Sequence, residues 1–161
     1  MAQTTAAMSG VNFDIEVALA GSGTWTNISG SSNMIAVPEQ ARQTGDDYTA
    51  DGDPAIVTPG KLSPIDVTVT ILFTNESAEA FETVRPWFEA DGGSRIDLRW
   101  SPQGVGATGR AVFNALNVVI NGFTYPGPDA SAAAPLRAGF KVRVPQIIRT
   151  TTASSTGLGS A

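Results

Sequence analysis

The chain has 161 residues, a formal net charge of −5, and neither cysteine nor histidine. Without cysteine it can form neither disulfides nor thiolate zinc sites, and without histidine it lacks the commonest general base and metal ligand. An acidic chain is also a poor candidate for binding nucleic acid, because it repels phosphates. Residues 1–91 carry thirteen acidic and three basic side chains, whereas residues 92–161 carry two acidic and seven basic ones. This split favours head-to-tail contact between copies.

The length and the apolar content predict one domain with a single core. Apolar residues make up 42% of the chain, yet no apolar run approaches the roughly 20 residues that a membrane helix needs. Residues 1–10 lack the basic and apolar regions of a signal peptide. We therefore expect no membrane anchoring, a flexible arm at residues 1–10, a domain at residues 11–149 and a flexible tail at residues 150–161.

Alternating apolar and polar side chains predict several strands in the first half of the chain. The pattern runs through residues 11–19, and shorter strands are predicted at residues 25–28 and 34–37. Residues 39–61 are rich in aspartate, glycine and proline, which predicts a long polar loop or an exposed hairpin arm. Loops of this length in compact domains are usually functional. The strongest alternation lies in residues 62–74, where we predict another strand.

Residues 75–91 predict the one helix of the chain. Asn75 can cap its amino terminus, and an apolar stripe at helical spacing extends from Phe81 to Phe88. Pro86 conflicts with this interpretation because proline inside a helix removes a backbone hydrogen bond. Either the helix bends there or Pro86 begins a second short turn.

Further strands are predicted after the helix, at residues 95–100, 110–125 and 136–148. The second of these is one long strand or two strands hinged near residues 121–122. Seven or eight strands with a single helix between the middle ones predict a mainly β fold. We expect a β-sandwich or partly closed barrel of two antiparallel sheets, with the helix against one side.

The residue inventory predicts no catalytic site. The serines have no histidine partner, and residues 104–106 lack the Lys-Ser/Thr pair that follows a phosphate-binding loop. Glu39 and Glu89 could act as paired carboxylates, but no aromatic platform for a sugar flanks them. We therefore expect no enzyme and no cofactor.

Short segments of this sequence, together with the order of its elements, resemble a known family. They are GSGTW at residues 21–25, FEADGG at residues 88–93, LRWSP at residues 98–102 and FTYP at residues 123–126. Over residues 11–149 the chain resembles the major tail tube proteins of long-tailed bacteriophages, which share their fold with the tubes of contractile tails and type VI secretion.

The resemblance implies two packed antiparallel sheets with one flanking helix. It implies that six copies form a ring, that rings stack into a hollow tube, and that strands of neighbouring subunits join in a continuous inner β-barrel. Such a tube would conduct double-stranded genomic DNA to the host without binding it specifically, and other tail proteins would bind its ends. The protein would then belong to the virion tail and be assembled in the host cytoplasm.

The charge split suggests which surfaces of neighbouring subunits meet. The acidic side chains of the long loop have neither the spacing nor the flanking helices of a calcium site, so we expect no metal ion there. We expect them instead to reach the next subunit; they are Asp46, Asp47, Asp51 and Asp53. The candidate acceptors are basic residues of the last third of the chain, namely Arg137, Lys141, Arg143 and Arg149. Both terminal segments are expected to order only between subunits.

Two alternatives remain open from the sequence. A monomeric β-sandwich that binds carbohydrate or mediates adhesion would need exposed aromatic side chains, and Trp25 is the tryptophan least constrained by an apolar face. Another virion assembly role, such as capsid decoration or tail termination, fits the same composition. Self-association separates the first alternative from a tube subunit.

Overall fold

The predicted mainly β fold with one helix is confirmed. The computed structural model describes residues 9–104, 106 and 108–159. In these residues the strands are β1 (Asp14–Leu19), β2 (Thr26–Asn27), β3 (Ser32–Ala36), β4 (Arg42–Asp47), β5 (Ile56–Leu62), β6 (Ile65–Leu72), β7 (Arg95–Ser101), β8 (Ala111–Thr124), β9 (Arg137–Val144) and β10 (Ile148–Thr151). The helix α1 (Ala80–Glu89) lies between β6 and β7.

The strands form two antiparallel sheets. The larger has eight strands in the order β2-β1-β7-β8-β9-β6-β3, with β10 also paired to β8, and the smaller is the hairpin β4–β5. β2 and β3 stand at opposite ends of this order, yet only residues 28–31 connect them. The large sheet must therefore curl until its two ends approach each other, which gives a partly closed barrel.

The long strand β8 holds the curled sheet together. β7 pairs with it along one edge, while β10 pairs with residues 111–114 and β9 with residues 119–124. Asn117, near the middle of β8, has a φ of 55°, in the left-handed region. β8 nevertheless runs unbroken from Ala111 to Thr124, so the continuous strand is the correct one of the two sequence interpretations, and its register with β9 shifts at the predicted hinge, between Ile120 and Gly122.

The helix covers one end of the barrel with the predicted apolar stripe. Phe81 and Val84 are buried, and the ring of Phe81 lies 4.9 Å from that of Phe73. The helix begins at Ala80 rather than at the predicted residue 75. Glu79 does not cap it with its own side chain, since the Glu79 carboxylate accepts a hydrogen bond from Thr74 Oγ1, and the Ala80 N–H donates instead to Ser31 Oγ at 3.1 Å. Pro86 lies inside the helix, which continues because Ala90 N donates to the Pro86 carbonyl.

The carboxyl-terminal segment differs from its prediction as a flexible tail. Residues 148–151 form β10, and the segment of residues 152–159 packs on the outer face of the sheet with Thr152 and Leu158 buried. Leu158 N donates to Glu16 Oε1, and Arg110 Nη2 donates to the Gly157 carbonyl. The packed domain therefore extends past residue 149. Of the predicted amino-terminal arm, residues 1–8 lie outside the described residues.

Candidate assembly surfaces

The predicted acidic loop is a two-stranded hairpin that projects from the barrel. Every residue of β4 and most of β5 are exposed. The four predicted aspartates surround its tip, two on β4 and two in the connecting turn: Asp46, Asp47, Asp51 and Asp53. The two on β4 are adjacent in sequence and so project to opposite faces. Among the described residues, no group of three or more acidic side chains could hold a metal ion.

The hairpin tip also carries large apolar side chains. Tyr48, Ile56 and Val57 are 69%, 52% and 60% exposed. The hairpin is held by bonds within itself, such as Thr58 Oγ1 to the Gly45 carbonyl at 3.1 Å. An isolated two-stranded hairpin is marginally stable in water and gains stability when a further surface covers it. This tip is therefore suited to contact with a partner.

Three of the predicted basic acceptors share one face of β9. Arg137, Lys141 and Arg143 alternate along the strand with buried residues, so their side chains project outward. Arg143 is already engaged within its own chain: its Nη1 lies 3.1 Å from Asp66 Oδ1, which also accepts a hydrogen bond from Asn121. The hydrogen bond from Arg143 is the main cause that lowers the pKa of Asp66.

This ion pair gives a prediction for the monomer in solution. In the Arg143→Met variant we expect the pKa of the Asp66 carboxyl to rise toward its ordinary value, because the charged donor that favours the ionised form is lost. A carboxyl-detected NMR titration of both proteins measures the change. An unchanged Asp66 pKa would mean that Arg143 is free to accept a hairpin from another copy.

The fourth predicted acceptor, Arg149, lies apart from the other three. It is exposed on β10 and pairs in register with Phe113 on the opposite half of β8 from β9. Within the part of the chain that the structure describes, no ion pair joins the hairpin aspartates to any of the four basic residues. The structure therefore divides the predicted acceptor surface into two regions.

A buried polar network on the outer face of β1 was not predicted. Asp14 and Arg110 are each 1% exposed, and Asp14 Oδ2 lies 3.4 Å from Arg110 Nη1. The Asp14 carboxylate also accepts hydrogen bonds from Asn27 Nδ2 at 2.6 Å and from Ser29 Oγ at 2.7 Å. Arg110 donates in addition to the carbonyls of Gln103 and Gly157. These contacts fix the carboxyl-terminal segment to the sheet.

A second carboxylate of β1 extends this network. Glu16, two residues after Asp14 and so on the same face, accepts a hydrogen bond from Arg99 Nε at 2.7 Å. The Arg99 guanidinium lies 3.8 Å above the ring of Trp25, which is a cation–π contact. The sequence feature that could have indicated this network is the pair of carboxylates at alternate positions of a predicted strand, together with the arginines later in the chain.

The outer strands leave backbone groups available for pairing. Within residues 9–104, 106 and 108–159, β3 pairs only with β6, and β10 only with β8. On the side of β8 that carries β7, pairing stops at Val119, so residues 120–124 have no strand partner there among the described residues. The layer β3-β6-β9-β8 thus has an unpaired edge on each side, and such edges readily pair with another chain.

In the described part of the chain, no helix is long and apolar enough to cross a bilayer.

Comparison with known proteins identifies the fold. No protein family model and no curated protein matches the chain. A chain of the sheath–tube complex of an extracellular contractile injection system (PVC), in its extended state, superposes with a TM-score of 0.70 at 13% identity over 94% of this chain and 100% of that chain. A chain of the anti-feeding prophage tube-terminating cap gives 0.71 at 12% identity over 94% and 96%. This chain has the tail-tube fold.

A further structure with this fold is a tail chain of an empty GTA particle. It gives a TM-score of 0.54 at 13% identity over 91% of this chain and 100% of that chain. The tail-tube fold here includes the projecting hairpin and the unpaired edges of β3 and β8, which are the features that another copy could contact.

Proposed function

We propose that this chain is the structural subunit of a bacteriophage tail tube. Six copies form a ring, and rings stack into a tube whose channel conducts genomic DNA to the host. The role is architectural rather than enzymatic, and the partners are further copies of the chain and other tail proteins at the tube ends. The protein is assembled in the host cytoplasm and remains in the virion tail.

The observation that carries this proposal is the layer β3-β6-β9-β8 with an unpaired edge on each side. Joining the edge of β3 in one copy to residues 120–124 of β8 in the next satisfies backbone groups on both. Repeating the same head-to-tail contact generates either a closed ring or a helix. Closure of the joined layers removes both of these unpaired edges and produces one inner β-barrel.

Two further observations support six-fold closure and DNA passage. The GTA tail was computed with C6 symmetry, and an anti-feeding prophage baseplate that contains a chain with this fold was symmetrised six-fold. This chain has a net charge of −5, so on average it repels phosphates rather than binding them. A channel made of such subunits allows DNA to slide.

Negative-stain electron microscopy of the purified full-length protein, combined with light scattering, tests the proposal. We expect rings or tubes about 100 Å wide, because six domains each a few tens of Å across would surround a channel wide enough for duplex DNA. A protein that stays monomeric at every concentration would contradict it and would favour the carbohydrate-binding alternative. In that alternative two of the three tryptophans are poorly placed, since Trp100 is buried and Arg99 covers Trp25.

A tube-terminating subunit is the second candidate. Chains from the terminator of the PVC system and from the anti-feeding prophage cap superpose with TM-scores of 0.71, as well as the sheath–tube chain does. A terminator subunit would form single rings that do not stack. The same micrographs separate the two candidates, because only a tube subunit gives particles of increasing length as the concentration rises.

A further inference from the structure

The two ends of the curled sheet are covered differently. At the end where β8 finishes, α1 packs on it, and Phe88 stacks on Phe123 with ring centroids 5.4 Å apart. At the end where β8 begins, no helix of the described residues covers the core. Phe113 lies there against Trp100, with ring centroids 6.0 Å apart. Partly buried apolar side chains such as Phe113 therefore border this end of the barrel.

This open end forms an apolar depression that we call the end groove. It is lined by Val37, Trp100, Phe113 and Ile147. The groove continues past Phe13, Met34 and Ile35, and Met34 and Val37 are 50% and 42% exposed. Contiguous exposed apolar surface of this kind marks an interaction site in a soluble protein.

We propose that the end groove binds the hairpin tip of a second copy of this chain. The inference rests on the proposed self-assembling function and adds where the hairpin docks. The tip supplies the complementary apolar side chains Tyr48, Ile56 and Val57, which its own chain leaves at least half exposed. Burying them in the groove removes apolar surface from water on both copies.

The position of the hairpin base explains why the occupant is another copy. Gln40 Nε2 donates to the Pro145 carbonyl at 2.9 Å, so the base lies beside the groove residues Val37 and Ile147. The six residues of β4 carry the tip about 20 Å from this base at 3.3 Å per residue. The tip could reach its own groove only if the hairpin folded back on itself. A neighbouring copy has no such constraint.

Charge and strand edges make the groove complementary to the tip. Arg149 pairs in register with Phe113, so its exposed side chain projects from the same face of the sheet as this groove residue. The tip carries four aspartates, and no basic residue lies between residues 43 and 60. The outer edge of β10 is unpaired in the described structure and can accept a strand of the incoming hairpin.

Photo-cross-linking of the assembled protein tests where the tip binds. A variant with p-benzoylphenylalanine in place of Tyr48 is irradiated after assembly, and the cross-linked peptides are identified by mass spectrometry. We expect covalent dimers that join residue 48 to peptides containing Val37, Phe113 or Ile147. The control variant carries the same probe at the hairpin base, in place of Lys61, and should give no dimers linked to those peptides.

A second measurement does not depend on the probe. Val57→Asp and Val37→Asp place a charge on the two sides of the proposed contact, and each should raise the critical concentration for assembly about tenfold or more. Both positions are exposed, so circular dichroism should show folded monomers.

The outcomes separate this inference from the proposed function. If wild-type tubes form but residue 48 cross-links only to other regions, or if neither substitution changes the critical concentration, the groove is not the docking site and the tube function stands. A wild-type protein that never assembles overturns both.

Discussion

Replacing the buried Arg110 with methionine should lower the free energy of unfolding by about 3 kcal/mol, because it leaves the buried Asp14 carboxylate without its cation. The same change removes the hydrogen bonds to the carbonyls of Gln103 and Gly157. For a chain of this length the melting temperature should fall by roughly 10 °C. Thermal unfolding followed by circular dichroism measures the shift, and hydrogen exchange should show lost protection in residues 152–159.

The control is the identical substitution in the exposed ion pair. Arg143→Met should change the melting temperature far less, because exposed ion pairs contribute little to stability. A double-mutant cycle with Asp14→Asn isolates the pairwise interaction: the double variant should lose less stability than the two single changes predict together. Additive losses would show that Arg110 acts on the carboxyl-terminal segment alone and not through Asp14.

The sequence predicted those strands that have one face toward the core and the other toward solvent. In β6 the alternation was sufficient, because Val67, Val69 and Ile71 are buried while the residues between them are partly exposed. In β1 the same period is present, yet Asp14 and Glu16 are buried too. Periodicity distinguishes the two faces of a strand, but it does not reveal that a segment more than a hundred residues later covers the polar face.

Of the candidate assembly surfaces, the sequence located the hairpin but not the arrangement of the basic residues. Composition predicted a long polar loop or an exposed hairpin arm at residues 39–61, and an exposed hairpin lies there because glycine, proline and aspartate leave it no core of its own. The four basic residues predicted as acceptors do not form a single surface. Arg143 pairs with Asp66 of its own chain, and Arg149 lies on a different strand from the others. Strand register decided both outcomes, and register depends on long-range pairing that local composition does not encode.

The end groove was not predicted, because its position depends on the topology of the fold. Trp100 alternates with Ile96 and Leu98 on the buried face of β7, and it is itself buried. Its position at the uncovered end of the barrel follows only from the topology, which places α1 at the opposite end. An apolar side chain at a barrel end can serve the core and a docking surface together.

Reversing the charge of all four hairpin aspartates should abolish assembly while leaving the monomer folded. The side chains are exposed and make no ion pair within the described part of the chain, so folding does not require them. Assembly would place the new lysines near basic side chains of the next copy, and like charges at an interface oppose association. The substitutions are Asp46→Lys, Asp47→Lys, Asp51→Lys and Asp53→Lys.

Sedimentation and electron microscopy compare this variant with a control in which exposed acids outside the hairpin are reversed, namely Glu76→Lys, Asp91→Lys and Asp129→Lys. The control shifts the net charge by a similar amount and should still form tubes. Raising the salt concentration should partly restore assembly of the hairpin variant, because screening weakens repulsion between exposed charges. Tubes of normal length from the hairpin variant at low salt would show that the acidic tip does not contact a basic surface, and its apolar side chains alone would then have to account for docking.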